Sequence, residues 1–121
     1  MSIDIFRDFR VWQASIDLAQ EVYKLTQLFP KQETYGLSSQ IQRAVVSIPS
    51  NIAEGSARHS TKELLHFLSV ALGSLFELET QLLLAGRLSY IKKEDLEAVL
   101  LSIEGISRMI RGLQNSLKSK L

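Results

Sequence analysis

Glu63-Leu64-Leu65-His66 sets a carboxylate and an imidazole three residues apart, the spacing with which helical bundles hold di-iron centres. Such a centre needs a second pair. The other of the two histidines, His59, has Ile52, Gly55 and Ser56 at its nearby helical positions, so no carboxylate stands where that pair requires one. On a helical wheel Glu63 and His66 also fall on the polar face of their segment. A helical nuclease would place an arginine a few residues ahead of its histidine. Here Arg58 is adjacent to His59, and no arginine lies between residues 59 and 66. The chain has no cysteine, which excludes disulfides, thiolate nucleophiles, zinc knuckles and iron–sulfur ligation. It also lacks a glycine-rich phosphate loop, a serine–histidine–acid set and paired catalytic carboxylates. The expectation is a protein without catalytic residues, metal or cofactor.

A different chemistry is written into the segment after Gly36. Gln40, Arg43, Ser47, Asn51 and Glu54 recur every three or four residues, a ridge of hydrogen-bonding groups directly beside an apolar stripe. Such a ridge suits a subunit interface or a structural network. Glu79 belongs with it, because the wheel puts this acid between Leu68 and Leu72, inside an apolar arc. A carboxylate there needs a partner, and Arg43 or backbone donors released near Pro49 are the expected ones. Arg108, Arg111, Lys118 and Lys120 close the chain with no acid after Glu104. Cations at a helix C-terminus complement its dipole. Multiplied in an oligomer, they would form a ring of positive charge able to meet nucleic acid.

Fourteen basic and thirteen acidic residues give a net charge of +1, so no global field selects an anionic partner. The 121 residues fit one domain, 1–121, with 45% hydrophobic residues and no unbroken apolar run of membrane-spanning length. An acid, Asp4, stands where a secretory signal would carry positive charge, and cytoplasmic residence without membrane contact is the expectation.

The elements that must position these residues are helices, because two prolines and no bounded β-branched clusters leave little room for strands. The first helix should start with Asp8 as N-cap and reach Phe29, with Pro30 as its stop. The second starts within Glu33 to Gly36, carries Leu37, Ile41, Ala44, Val45, Ile48 and Ile52 on one face, and ends at Gly55 in the left-handed conformation. Pro49 falls inside it and predicts a kink or a broken last turn. Ser60 with Glu63 forms a capping-box signature for a third helix running to about Ser89. The fourth spans about Lys92 to Lys118. Short connections imply an all-α, antiparallel up-down-up-down four-helix bundle. Gly73, Gly86, Gly105 and Gly112 lie inside helices, where they are expected to permit close helix approach. A monomer would leave part of the Val11, Leu18, Val22 stripe or the Leu65, Leu72, Phe76 flank in water, which predicts a homo-oligomer.

The stretch from Ser39 to Gly55, Ser-Gln-Ile-Gln-Arg-Ala-Val-Val-Ser-Ile-Pro-Ser-Asn-Ile-Ala-Glu-Gly, resembles the hallmark segment of the 23S rRNA intervening-sequence proteins. Phe9 with Val11-Trp12-Gln13, Phe29-Pro30 with Tyr35-Gly36-Leu37, and Ala71 to Leu82 extend the likeness over about residues 6–117. The resemblance implies an antiparallel bundle assembled as a ring, most often a pentamer, in the bacterial cytoplasm and without enzymatic activity. A related branch, the strongly basic accessory proteins of diversity-generating retroelements, binds nucleic acid.

Near-neutral charge, and no aromatic residue interleaved with the C-terminal cations, predict at most weak, sequence-independent binding of nucleic acid. In a salt titration the affinity should fall steeply as salt rises. Replacing Arg108, Arg111, Lys118 and Lys120 by glutamine should abolish it.

Overall fold

Four stripes of apolar residues at three-four spacing can leave water only by facing one another, and the chain does this with short links. The computed structural model describes residues 5–121. A 3-10 turn at Ile5–Asp8 leads into α1 (Arg10–Thr26), and a second at Lys31–Glu33 precedes α2 (Leu37–Ser56). The hairpin partner α3 (Thr61–Arg87) and then α4 (Lys93–Lys118) complete the order. Side-chain pairs tie three of the seams. Gln42 of α2 bonds Thr26 of α1, Ser47 of α2 meets Ser74 of α3, and Gln114 of α4 bonds Ser69 of α3. Helices in contact are α1 with α2, α2 with α3, α3 with α4 and α4 with α1, the four sides of a square. Its centre holds Val22, Ile41, Val45, Ile48, Ile52, Leu68, Leu75, Leu78, Leu82, Val99 and Ile110, all 0% exposed.

Several boundaries differ from the expected ones for local reasons. Asp8 belongs to the opening 3-10 turn, and the N-cap position of α1 falls to Phe9, which offers no side-chain cap. The helix ends at Thr26, three residues short of Phe29, whose ring is buried beyond the last turn. The capping box forms on one side, Glu63 N donating to Ser60 Oγ at 3.2 Å. The residues with positive φ are His59 (57°) and Ser89 (64°), immediately after the α2 and α3 termini, and Gly55 is not among them.

Gly55 instead lies inside α2, buried against α3. A Cβ built there would stand 2.7 Å from Phe67 Cβ and 3.0 Å from Leu64 Cδ1. Of the mid-helix glycines only Gly86 packs closely, its absent Cβ lying 2.6 Å from Leu96 Cδ2, whereas nothing comes within 4 Å at Gly73, Gly105 or Gly112. Pro49 does not break α2, which continues from Leu37 to Ser56. Proline leaves the Val45 carbonyl without its amide donor, but the ring itself is buried beside Ile48 and Ile52. The α1 stripe expected to meet water is covered within the protomer: Val11, Leu18 and Val22 are 5%, 2% and 0% exposed. The surplus apolar surface is on α3, where Val70, Phe76, Leu83 and Leu84, with Leu88 just beyond it, are 39–49% exposed. With a mean hydropathy of 1.4 over its most apolar window, α3 is also long and apolar enough to cross a membrane, one third of that window being buried in the bundle.

Gly55→Ala is expected to destabilise the fold by about 1–3 kcal/mol, because its methyl would meet a Cβ that cannot swing aside. Gly73→Ala, in open space on a helix, is expected to stabilise it by about 0.8–1 kcal/mol. Urea denaturation of the two variants checks both signs.

Candidate functional site

The polar ridge of α2 divides in the folded chain. Its middle faces α3: Asn51 Nδ2 donates to the Ser47 carbonyl (2.7 Å) and hydroxyl (2.9 Å), and Ser47 Oγ lies 2.8 Å from Ser74 Oγ. The Ser47 hydroxyl accepts from Asn51, and in its bond with Ser74 either hydroxyl can be the donor. Ser47, Asn51 and Ser74 are thereby a satisfied structural network across the α2–α3 seam. The ends of the ridge remain on the surface. Glu54 pairs with Arg58 at 2.7 Å, with both side chains about half exposed, an arrangement that adds little stability. Gln40 and Arg43 are exposed, and among the described residues Arg43 has no hydrogen bond or ion pair. It stands over a shallow hollow with Tyr23, Ser39, Gln42, Val46 and Ser50.

Glu79 does not meet Arg43. It is half-buried, and among the described residues it has no ion pair. Gln81 is the more unusual residue of α3. It is 8% exposed; its amide donates weakly to Glu77 (3.4 Å), while its Oε1 is buried without a partner among the described residues. A glutamine at the edge of an apolar arc is the sequence signal that could have found it.

The C-terminal cations do not act as one cluster. Arg108 is paired with Glu104, Arg111 lies over the Phe76 ring at 5.8 Å, and Lys118 and Lys120 stay exposed.

At the opposite end, Glu33 joins three elements. Its Oε1 accepts from the Leu37 amide (3.2 Å), capping α2, while Oε2 accepts from the Tyr90 hydroxyl (2.9 Å) in the α3–α4 link. Tyr90 also packs on Phe29, ring centroids 5.3 Å apart. The bond to Glu33 raises the Tyr90 phenol above the ordinary tyrosine range, with partial burial and the Glu33 charge adding to the rise and Gln32 opposing it. A pairing across 57 positions carries no local sequence signal. Among the described residues no three metal-ligating side chains converge. The surfaces present are suited to recognition.

Residues 7–112 match the model of the 23S rRNA-intervening sequence protein family. Among solved structures, a protein of unknown function from the S23 ribosomal protein family of Bacteroides thetaiotaomicron is similar, at 27% identity and a TM-score of 0.80. The match covers 87% of this chain and 95% of that one. No curated protein matches the sequence.

The raised phenol makes a signed prediction. Its bond stabilises the fold while Tyr90 is protonated, and the stabilisation is lost as pH rises through the elevated folded-state value. Tyr90→Phe should therefore be less stable than the native chain at neutral pH, and the difference should close in strong alkali. In an ultraviolet titration one of the three tyrosines should ionise after the others, and Glu33→Gln should shorten that lag.

Proposed function

The chain belongs to the 23S rRNA-intervening sequence protein family, and from that premise we propose that it is a non-enzymatic bundle that self-assembles, as a homopentamer, into a cytoplasmic scaffold or adaptor. The observation that carries this reading is the outer face of α3. Val70, Phe76, Leu83 and Leu84 of α3, with Leu88 just beyond it, expose apolar side chains by 39–49%. Gln40 and Arg43 are exposed polar residues on the neighbouring helix α2. Apolar surface rimmed by polar groups is the usual make-up of a subunit interface. Binding of nucleic acid through Lys118 and Lys120 is the alternative; pairing of Arg108 with Glu104 weakens the support for it.

Light scattering after size exclusion tests the assembly. Five chains of 13.6 kDa should give a particle of about 68 kDa. Leu84→Glu puts a charge on this face of α3 at a 49%-exposed helical position, so it should retain helicity and shift the particle to the mass of one chain. A native chain that elutes as a single 13.6 kDa species at micromolar concentration overturns the proposal.

A further inference from the structure

Of the four seams in the bundle, the one between α1 and α4 is left open. Asp17, Leu18 and Glu21 of α1 face Ser102, Gly105 and Ile106 of α4 across a cavity of ≈ 310 Å³. Past Met109 a second cavity of ≈ 360 Å³ continues the groove between Phe9, Val11, Gly112 and Leu113. Nothing approaches within 4 Å of the place a Cβ would take on Gly105 or Gly112. These glycines therefore make room that the protomer itself does not fill. The groove is acidic along the α1 rim, and Glu21 holds Oε1 away from solvent with no hydrogen-bond partner among the described residues. Folded proteins seldom leave a buried carboxylate oxygen in that state, because losing water without gaining a donor is costly. Around Glu21 no cationic side chain lines the groove, and Arg10 lines only its far end, beyond Met109.

The chain carries such a donor elsewhere on its surface. Arg58 and Arg108 are directed to Glu54 and Glu104, Arg111 to the Phe76 ring, and Arg87 stands in the last turn of α3, where the helix carbonyls favour a cation. Arg7 lies over the Phe6 ring and Arg10 lines the far end of the groove, whereas Arg43 has no such local explanation. It projects from mid-α2 over a hollow shared with Tyr23 (40% exposed), Val46 (42% exposed), Ser39, Gln42 and Ser50. A planar guanidinium is the side chain best shaped to satisfy a carboxylate in a partly dry groove.

We infer that the α1–α4 groove is the seat for a second copy of this chain, with Arg43 of one copy donating to Glu21 of the next while Tyr23 and Val46 cover the space over Gly105 and Met109. The inference rests on the self-assembly proposed above and adds to the α3 face two further faces that meet each other. Because they differ, the contact is head-to-tail, the kind that closes into a ring when its rotation allows.

The test uses the full chain in size exclusion with light scattering, with helicity followed by circular dichroism. Arg43→Glu removes the donor, and Gly105→Leu fills the groove from a position with no neighbour to clash with. Each variant alone should remain helical and run as a single 13.6 kDa chain. Mixed, the intact Arg43 face of Gly105→Leu should seat in the intact groove of Arg43→Glu and stop there, giving a heterodimer of twice 13.6 kDa. The charge exchange Glu21→Arg with Arg43→Glu in one chain should restore the native particle. A native oligomer that neither single variant disturbs, or a mixture that stays at one chain, overturns this pairing and leaves self-assembly standing. A native monomer overturns both.

Discussion

The backbone of α2 lies against α3 at Gly55, and a side chain there would overlap Phe67 and Leu64. That contact fixes the register of the longest seam in the bundle. Once residue 55 is opposite 64 and 67, antiparallel geometry brings Ser47 to Ser74 and, farther along, Glu33 to Tyr90. The three contacts occupy the bottom, middle and top of one seam and obey one alignment, so shifting any of them would break the others. A slip would also rotate Ile41, Val45, Ile48 and Ile52 away from Leu68, Leu75, Leu78 and Leu82, all of which are without solvent exposure. Packing and polar pairing therefore favour the same alignment, the agreement across levels that specifies a unique fold.

Periodicity exposed the helices because every one is amphipathic over several turns, and the Ser60–Glu63 cap was visible because both partners lie within one turn. What it could not expose were contacts whose partners are distant in sequence. Gly55 reads as a terminator by type and position, and its role as a contact residue depends on Leu64 and Phe67 folding back over it. Gly105 and Gly112 read as packing residues for the same reason, yet their neighbours stand away. Glu33 and Tyr90 are ordinary residues in the sequence until the two links meet at one end. At Pro49 the last turn is not broken as one of the two expected outcomes had it, and the ring is buried in a core that continues on both sides.

The polar residues of α2 show how little of a site a stripe reveals. Five residues share one face by spacing, but the face is crossed by α3 along only part of its length. Ser47 and Asn51 are drawn into the seam and satisfied there, whereas Arg43 remains outside it with no partner among the described residues. Which members are structural was decided by where Ser74 falls on another helix, a fact absent from α2 itself. Glu79 makes the same point in reverse, since its wheel position predicts burial beside Arg43 and the folded chain leaves it half-buried with no ion pair among the described residues.

The composition of α3 suits two architectures, a membrane span and a bundle core, and its burial pattern shows which of its faces the bundle uses. A span turns apolar side chains to lipid around most of its circumference. In α3, Leu68, Ala71, Leu75, Leu78, Leu82 and Ala85 are withdrawn completely into contact with the other helices. Ser74 is tied to α2 and Ser69 to α4. Those ties place polar groups on two further sides, which in hydrocarbon would need satisfaction from within the protein. Val70, Phe76, Leu83 and Leu84 lie outside that contact, about two thirds of the most apolar window being unburied, and they are interrupted by Gly73, Glu77, Thr80 and Arg87.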